Sequence, residues 1–144
     1  GNYHYQSEFK RGFADAFKQR GYKGDDCFIV GSDSDREELG KLLRRKKRRP
    51  TAVIAMESGR ATSTFQEAKE AGLKVPFDLS LLMFGRMDGA AASQVVTRVD
   101  PESEKIGHHS MELLVRLAEN GADDTPRRIL LSPVLVSGNT CRKI

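Results

Sequence analysis

TAVIAMESGRATSTFQEAKEAGLKVPFDLSLLMF, residues 51–84, decides what kind of chain this is. Thr51 to Met56 is an apolar, β-branched run of strand length. Glu57 to Gly72 has helical character, and Gly72 supplies a residue suited to closing a helix. Val75-Pro76 then opens a second apolar run, Leu79 to Phe84. A strand, a helix and a strand in this order predict a βαβ unit with two parallel strands. Strands apolar throughout, rather than alternating, suit a parallel sheet buried on both faces.

The flanking segments continue the alternation. Phe9, Phe13, Ala16 and Phe17 form one stripe of a helix predicted over 7–20, with Gly21 at its end. Asp25 to Val30 (DDCFIV) is predicted as a short buried strand. The loop GSDSD follows, and its Ser and Asp side chains suit the cap of a helix over 35–47, whose stripe is Leu39, Leu42 and Leu43. Val95 to Val99 reads as a further strand. Asp100-Pro101-Glu102 marks a helix start, with Asp100 as cap and Pro101 in the first turn. That helix is expected to carry Ile106, Met111, Leu114 and Leu117 inward and to stop at Asn120-Gly121. Arg128 to Val136 is a last extended segment broken by Pro133. The expected fold class is α/β, a three-layer parallel sheet with helices on both faces.

A chain of 144 residues suits one domain with a moderate core. The net charge is +4, yet the run Arg44 to Arg49 alone holds six basic side chains. Setting those 6 aside from the 24 leaves 18 basic against 20 acidic, a balance of −2. The basicity is therefore local, and neither aromatic side chains nor a second basic stripe accompany it. It reads as the solvated end of a helix, where cations favour the dipole, rather than a nucleic-acid face. Cys27 and Cys141 have no metal or redox spacing. His108-His109 point about 100° apart on a helix and read as surface or packing histidines. No apolar run is long enough to span a bilayer, so no membrane partner is expected. The opening GNYHYQSEFKRGF has no signal-peptide apolar region, and Gly1 in place of Met fits a natural start further upstream. No catalytic motif appears, and no cofactor is expected. An enzyme would have to use Asp33, Asp35 or Glu57, of which the first two are better explained as helix caps.

Ligands in parallel sheets sit beyond the carboxyl ends of the strands, which points to GSDSD, to ESGR from Glu57 and to GRMD from Gly85. The order of the segments resembles the carboxyl-terminal part of the effector-binding domain of LacI/GalR transcription regulators. RGFADAFKQRGY, the Pro50-Thr51-Ala52 strand, Gly72-Leu73, Val75-Pro76, Asp78-x-Ser80 and VVTRVDPESEKIGHHSMELL carry the likeness. PRRILLSPVLVSGNT resembles the closing strand. The resemblance covers nearly the whole chain. It implies one Rossmann-like lobe of a periplasmic-binding-protein-like fold, with residues 95–121 crossing to a first lobe that is absent. It also implies a small-molecule effector in the interlobe cleft, a cytoplasmic homodimer, and operator DNA held by an N-terminal domain outside these residues. A periplasmic sugar-binding receptor shares the fold and is the alternative.

Position by position, the family's effector contacts fall on Phe9, where an arginine is common, and on Glu57-Ser58, where Asn-Asp is common. Gly85 stands where an Asp is common, with Arg86 and Asp88 close by. Gly138 stands where the closing motif usually has an arginine. The groups that hold sugar hydroxyls are thus replaced. The resemblance implies an effector site at Phe9, Glu57, Ser58, Arg86 and Asp88, either of a different polarity from a pyranose site or in a cleft that no longer binds a small molecule.

Overall fold

The computed structural model describes residues 4–23, 35–86, 96–120 and 128–143. The chain divides into two compact units, Gly1–Pro50 and Thr51–Ile144, taken in turn. The expected strand at 25–30, the loop after it, Cys27 and Asp88 lie outside the described residues.

In the first unit, helix α1 spans His4–Gln19 and α2 spans Asp35–Leu43. The phenylalanine stripe of α1 is half-buried, and Phe13 and Phe17 stack at 5.6 Å. Gly21 adopts φ 76°, which lets its N–H donate to the Lys18 carbonyl (2.9 Å) and Tyr22 N–H donate to the Phe17 carbonyl (3.2 Å). These two hydrogen bonds close the helix end, and the Tyr22 ring stacks on Phe17 at 4.8 Å as the accompanying apolar contact.

Helix α2 stops at Leu43, short of the expected Lys47. Like charges three and four residues apart destabilise a helix, and Pro50 disfavours helical Arg49. Arg44 to Arg48 therefore form an exposed turn after the helix, with Arg48 left-handed at φ 54°. The helix itself is anchored by buried Leu42 and Leu43.

The second unit holds a four-stranded sheet in the order β1-β2-β3-β4. Strand β1 (Ala52–Ala55) runs parallel to β2 (Ser80–Phe84), with Ala52 beside Ser80 and Ala55 beside Met83. Strand β3 (Thr97–Asp100) runs parallel to β2, with Phe84 beside Val99. The connection from β1 to β2 is α3, Ser58–Glu70, as the opening stretch predicts. Ala61, Thr64 and Ala68 are its buried stripe. Their small side chains let α3 lie close on Leu81, Met83, Ala55 and Val96, with Val53, Phe65 and Val75 around the edge.

Gly72 ends α3 as Gly21 ends α1: at φ 71°, its N–H donates to Lys69 and that of Leu73 to Ala68. The Val-Pro-x-Asp motif then makes a tight turn. Asp78 Oδ2 accepts the Lys74 N–H at 2.8 Å, and the Asp78 N–H donates back to the Lys74 carbonyl.

Two expectations are corrected. The closing strand β4 (Val134–Val136) pairs with β3 antiparallel, so the sheet is mostly rather than wholly parallel. An antiparallel edge strand is a common completion of such sheets, and Pro133, which has no N–H, sits just before it. Helix α4 (Ser103–Asn120) forms where its periodicity places it, but its stripe does not face inward. Ile106, Met111, Leu114 and Leu117 are 46%, 60%, 60% and 38% exposed, and among the described residues no strand packs extensively along the helix. Periodicity reports that one helix side is apolar; it does not report what covers it.

The chain end is stitched into the sheet. Strand β3 begins opposite Leu82, which leaves Ser80 and Leu81 of β2 without a strand on that side. Residues 140–142 fill the gap: Leu81 N–H donates to the Thr140 carbonyl at 2.8 Å, and Arg142 N–H donates to Ser80 Oγ at 3.3 Å. Buried Thr140 Oγ1 donates to the Leu81 carbonyl (2.7 Å) and accepts the Thr97 N–H (2.9 Å). The Arg142 guanidinium lies over the Phe77 ring at 5.1 Å.

Candidate functional site

The three parallel strands end together. Glu57 lies two residues past Ala55, and Gly85 two past Met83, the residue paired with Ala55. The Gly85 N–H donates to the Val99 carbonyl at 2.9 Å, which ties the end of β2 to the end of β3. Gly85 has φ 99°, a conformation that suits glycine and turns the chain away from the strand at Arg86. The carboxyl edge of the sheet thus gathers Glu57, Ser58, Arg86 and the β3–α4 turn. Of the residues expected at the site, Phe9 lies half-buried on α1 of the first unit. Asp88 lies outside the described residues.

Glu57 is the extended residue before α3, and its carboxylate makes no cap to the helix. It pairs instead with Arg60 Nε at 3.3 Å, an exposed pair that adds less than about 1 kcal/mol. Ser58 is half-buried, and its carbonyl accepts the Thr62 hydroxyl at 3.0 Å. Arg86 is exposed.

Strand β3 supplies two residues that the sequence reading treated only as strand and cap. Arg98 and Asp100 alternate with Thr97 and Val99, so both stand on one face. Arg98 pairs with Met83, which belongs to the core under α3, and that fixes the face. The Arg98 Nε is buried and has no hydrogen-bond partner. Asp100 Oδ2 lies 3.6 Å from it, an ion pair but too long for a hydrogen bond. The side chains are 24% and 13% exposed, so this charge pair is largely withdrawn from water. A half-satisfied buried guanidinium is destabilising by about 1–3 kcal/mol relative to a fully bonded one. The signal in the sequence is T-R-V-D itself, charges at period two in a strand flanked by apolar ones.

Asp100 does not cap α4 as expected. Its Oδ1 accepts the Glu102 N–H at 3.0 Å, closing a two-residue turn over Pro101. Glu102 is left-handed at φ 60°, its carbonyl accepts the Ile106 N–H, and its carboxylate pairs with Lys105. The helix thus starts at Ser103, with Pro101 before it rather than inside its first turn.

Further along α4, Glu112 sits between two histidines: His109 Nδ1 is 3.1 Å and His108 Nε2 3.4 Å from its oxygens. The hydrogen bond with His109, and then the charge of His108, hold the Glu112 carboxyl below its ordinary value. Among the described residues no group of three His, Cys, Asp or Glu side chains is placed to hold a metal ion. None of the described helices is long and apolar enough to cross a membrane.

A mostly parallel α/β sheet carries polar turns at its strand ends, with an amphipathic helix whose apolar side is exposed. Residues 1–141 match the family described as periplasmic binding protein-like domain. The chain is 32% identical over 132 residues to the HTH-type transcriptional regulator DegA of Bacillus subtilis, covering 88% of this chain and 38% of that protein. It is 27% identical to the HTH-type transcriptional regulator MalR of Clostridium butyricum, covering 92% of this chain and 40% of MalR. Among solved structures, a LacI-type transcription regulator from Bifidobacterium animalis subsp. lactis superposes with a TM-score of 0.75 at 20% identity, over 92% of this chain and 49% of that one. The chain belongs to the periplasmic-binding-protein-like family. It spans about two fifths of the length of the curated relatives named above.

Proposed function

We propose that these residues are the effector-sensing and dimer-forming portion of a cytoplasmic bacterial transcription regulator that binds operator DNA through a separate domain. The continuous match of residues 1–141 to this family, with relatives named as HTH-type regulators, supports the reading most. Residues 1–144 form the second lobe, and 95–121 cross to the first. The exposed apolar side of α4 supports that assignment. Effector binds in the interlobe cleft against the strand ends of the second unit, at Glu57, Ser58 and Arg86. Binding favours one arrangement of the lobes, the dimer geometry follows, and operator affinity changes. Such coupling is typically about 1–3 kcal/mol, or 5- to 150-fold in affinity.

Related structures carry bound sucrose and ribose, and one curated relative is an arabinose metabolism repressor. In this chain Phe9 and Gly85 replace the arginine and acid that grip sugar hydroxyls, so the effector is not an ordinary neutral pyranose. The test uses the complete gene product and a fluorescent operator fragment selected from random duplex DNA. Neutral sugars, sugar acids, sugar phosphates and nucleosides are added in turn. One of the non-neutral classes is expected to change operator affinity at least fivefold. Failure to select any operator sequence would refute the reading.

A further inference from the structure

We infer that Arg98 is a ligand-binding residue that takes an oxyanion, a carboxylate or phosphate group, at the carboxyl end of β3. This deepens the effector reading above and rests on it for the ligand's biological role, though not for the binding itself. Three observations carry it, all within the second unit. First, Arg98 is a guanidinium placed on the core face of a strand, next to fully buried Met83, where an apolar side chain would pack better. Second, its pairing is incomplete: Nε is buried without a hydrogen bond, and Asp100 stops at 3.6 Å. Among the described residues no other group bonds to this guanidinium. Third, the side chain stays 24% exposed, at the end of the sheet where the parallel strands close.

The fork chemistry follows. A guanidinium has five donors in one plane and matches an oxyanion with two parallel bonds. Asp100 faces Nε, which leaves the terminal nitrogens for a ligand. Asp100 is itself committed: its other oxygen holds the Glu102 N–H at 3.0 Å and so fixes the turn into α4. Arg98 therefore joins two things, the ligand end of the sheet and the start of the helix whose apolar side is open. An oxyanion is held on the terminal nitrogens while Asp100 keeps to the Nε side, so the guanidinium stands between the two like charges. Glu102, Glu104 and Lys105 are the other charged groups at this turn, and Glu102 pairs with Lys105.

The experiment is calorimetric titration of the chain with inorganic phosphate, with gluconate and with neutral glucose, at fixed physiological ionic strength. Phosphate or gluconate is expected to bind and glucose not. Phosphate alone assigns the source to a phosphorylated ligand, and gluconate alone to a sugar acid. Arg98→Gln is expected to lower the affinity at least tenfold, and Arg98→Lys to retain part of it. In case Arg98→Gln does not fold, the Arg98 Nε–H resonance of the unsubstituted chain is followed during the same titration. It is expected to shift. An Nε–H resonance unmoved at saturating anion, equal affinity in Arg98→Gln, or no anion binding at all would overturn the assignment. Failure here leaves the regulator reading standing, because that reading is tested by operator selection. Failure of operator selection in turn leaves anion binding measurable on this chain.

Discussion

Replacing Thr140 by Val keeps the shape of a buried side chain and removes its hydroxyl. In the folded chain that hydroxyl donates to the Leu81 carbonyl at 2.7 Å and accepts the Thr97 N–H at 2.9 Å. The Leu81 carbonyl retains the Cys141 thiol at 3.1 Å, so its loss is partial. The Thr97 N–H lies at the start of β3 with no replacement, and a buried unpaired donor costs about 1–3 kcal/mol. The summed expectation is a loss of roughly 2–3 kcal/mol, against a domain stability of about 5–15 kcal/mol. Thr140→Ser keeps both bonds and loses one methyl group, which costs about 1 kcal/mol. Urea unfolding followed by circular dichroism gives the comparison. With a slope of about 2 kcal/mol per molar, the Val variant's midpoint falls by roughly 1 M and the Ser variant's by about half that. If the Ser variant is the weaker one, the hydroxyl is not what stitches the chain end to the sheet, and the reasoning fails.

Gly72→Ala and Gly59→Ala are expected to act in opposite directions. A Cβ meets nothing within 4 Å at either position, so only the backbone decides. Gly72 is at φ 71°, and alanine there costs about 1–2 kcal/mol; Gly59 lies inside α3, and alanine there adds up to about 1 kcal/mol. The same urea series checks both signs. For Glu112, a carboxyl held low on folding contributes stability that is present above its unfolded pKa and is lost as pH falls through the folded value. His109→Ala is therefore expected to raise the Glu112 pKa in a carbon-13 carboxyl titration, and an unchanged titration would contradict the pairing. On the open side of α4, Leu114→Glu removes a side chain that is 60% exposed. It is expected to reduce self-association in light scattering and dye binding to apolar surface without lowering the unfolding free energy by more than about 0.5 kcal/mol.

The sheet was legible because its signals are local. TAVIAM, the helix closed by Gly72 and LSLLMF each declare their own period, and together they leave one βαβ arrangement. The extent of α2 was not legible from its leucines, since six adjacent cations and Pro50 stop the helix at Leu43 whatever the stripe suggests. The orientation of α4 was not legible either, because an apolar stripe requires a cover and cannot say where the cover lies. The pairing of Thr140 with Leu81 joins residues 59 apart, and no local pattern encodes it. At the site, position could be read from strand ends, which placed Glu57, Ser58 and Arg86 at one edge. Arg98 was passed over because a charged residue in a short, weakly alternating strand looks like a solvent-facing one. Its neighbour Met83 shows which face it occupies.

The central claim is that these residues sense an effector for a DNA-binding domain that lies elsewhere in the same protein. The coding sequence upstream of Gly1 tests it most directly. The account predicts a helix-turn-helix segment followed by the strands and helices of the first lobe. A secretory signal peptide in that place would contradict it and make the protein an exported binding receptor.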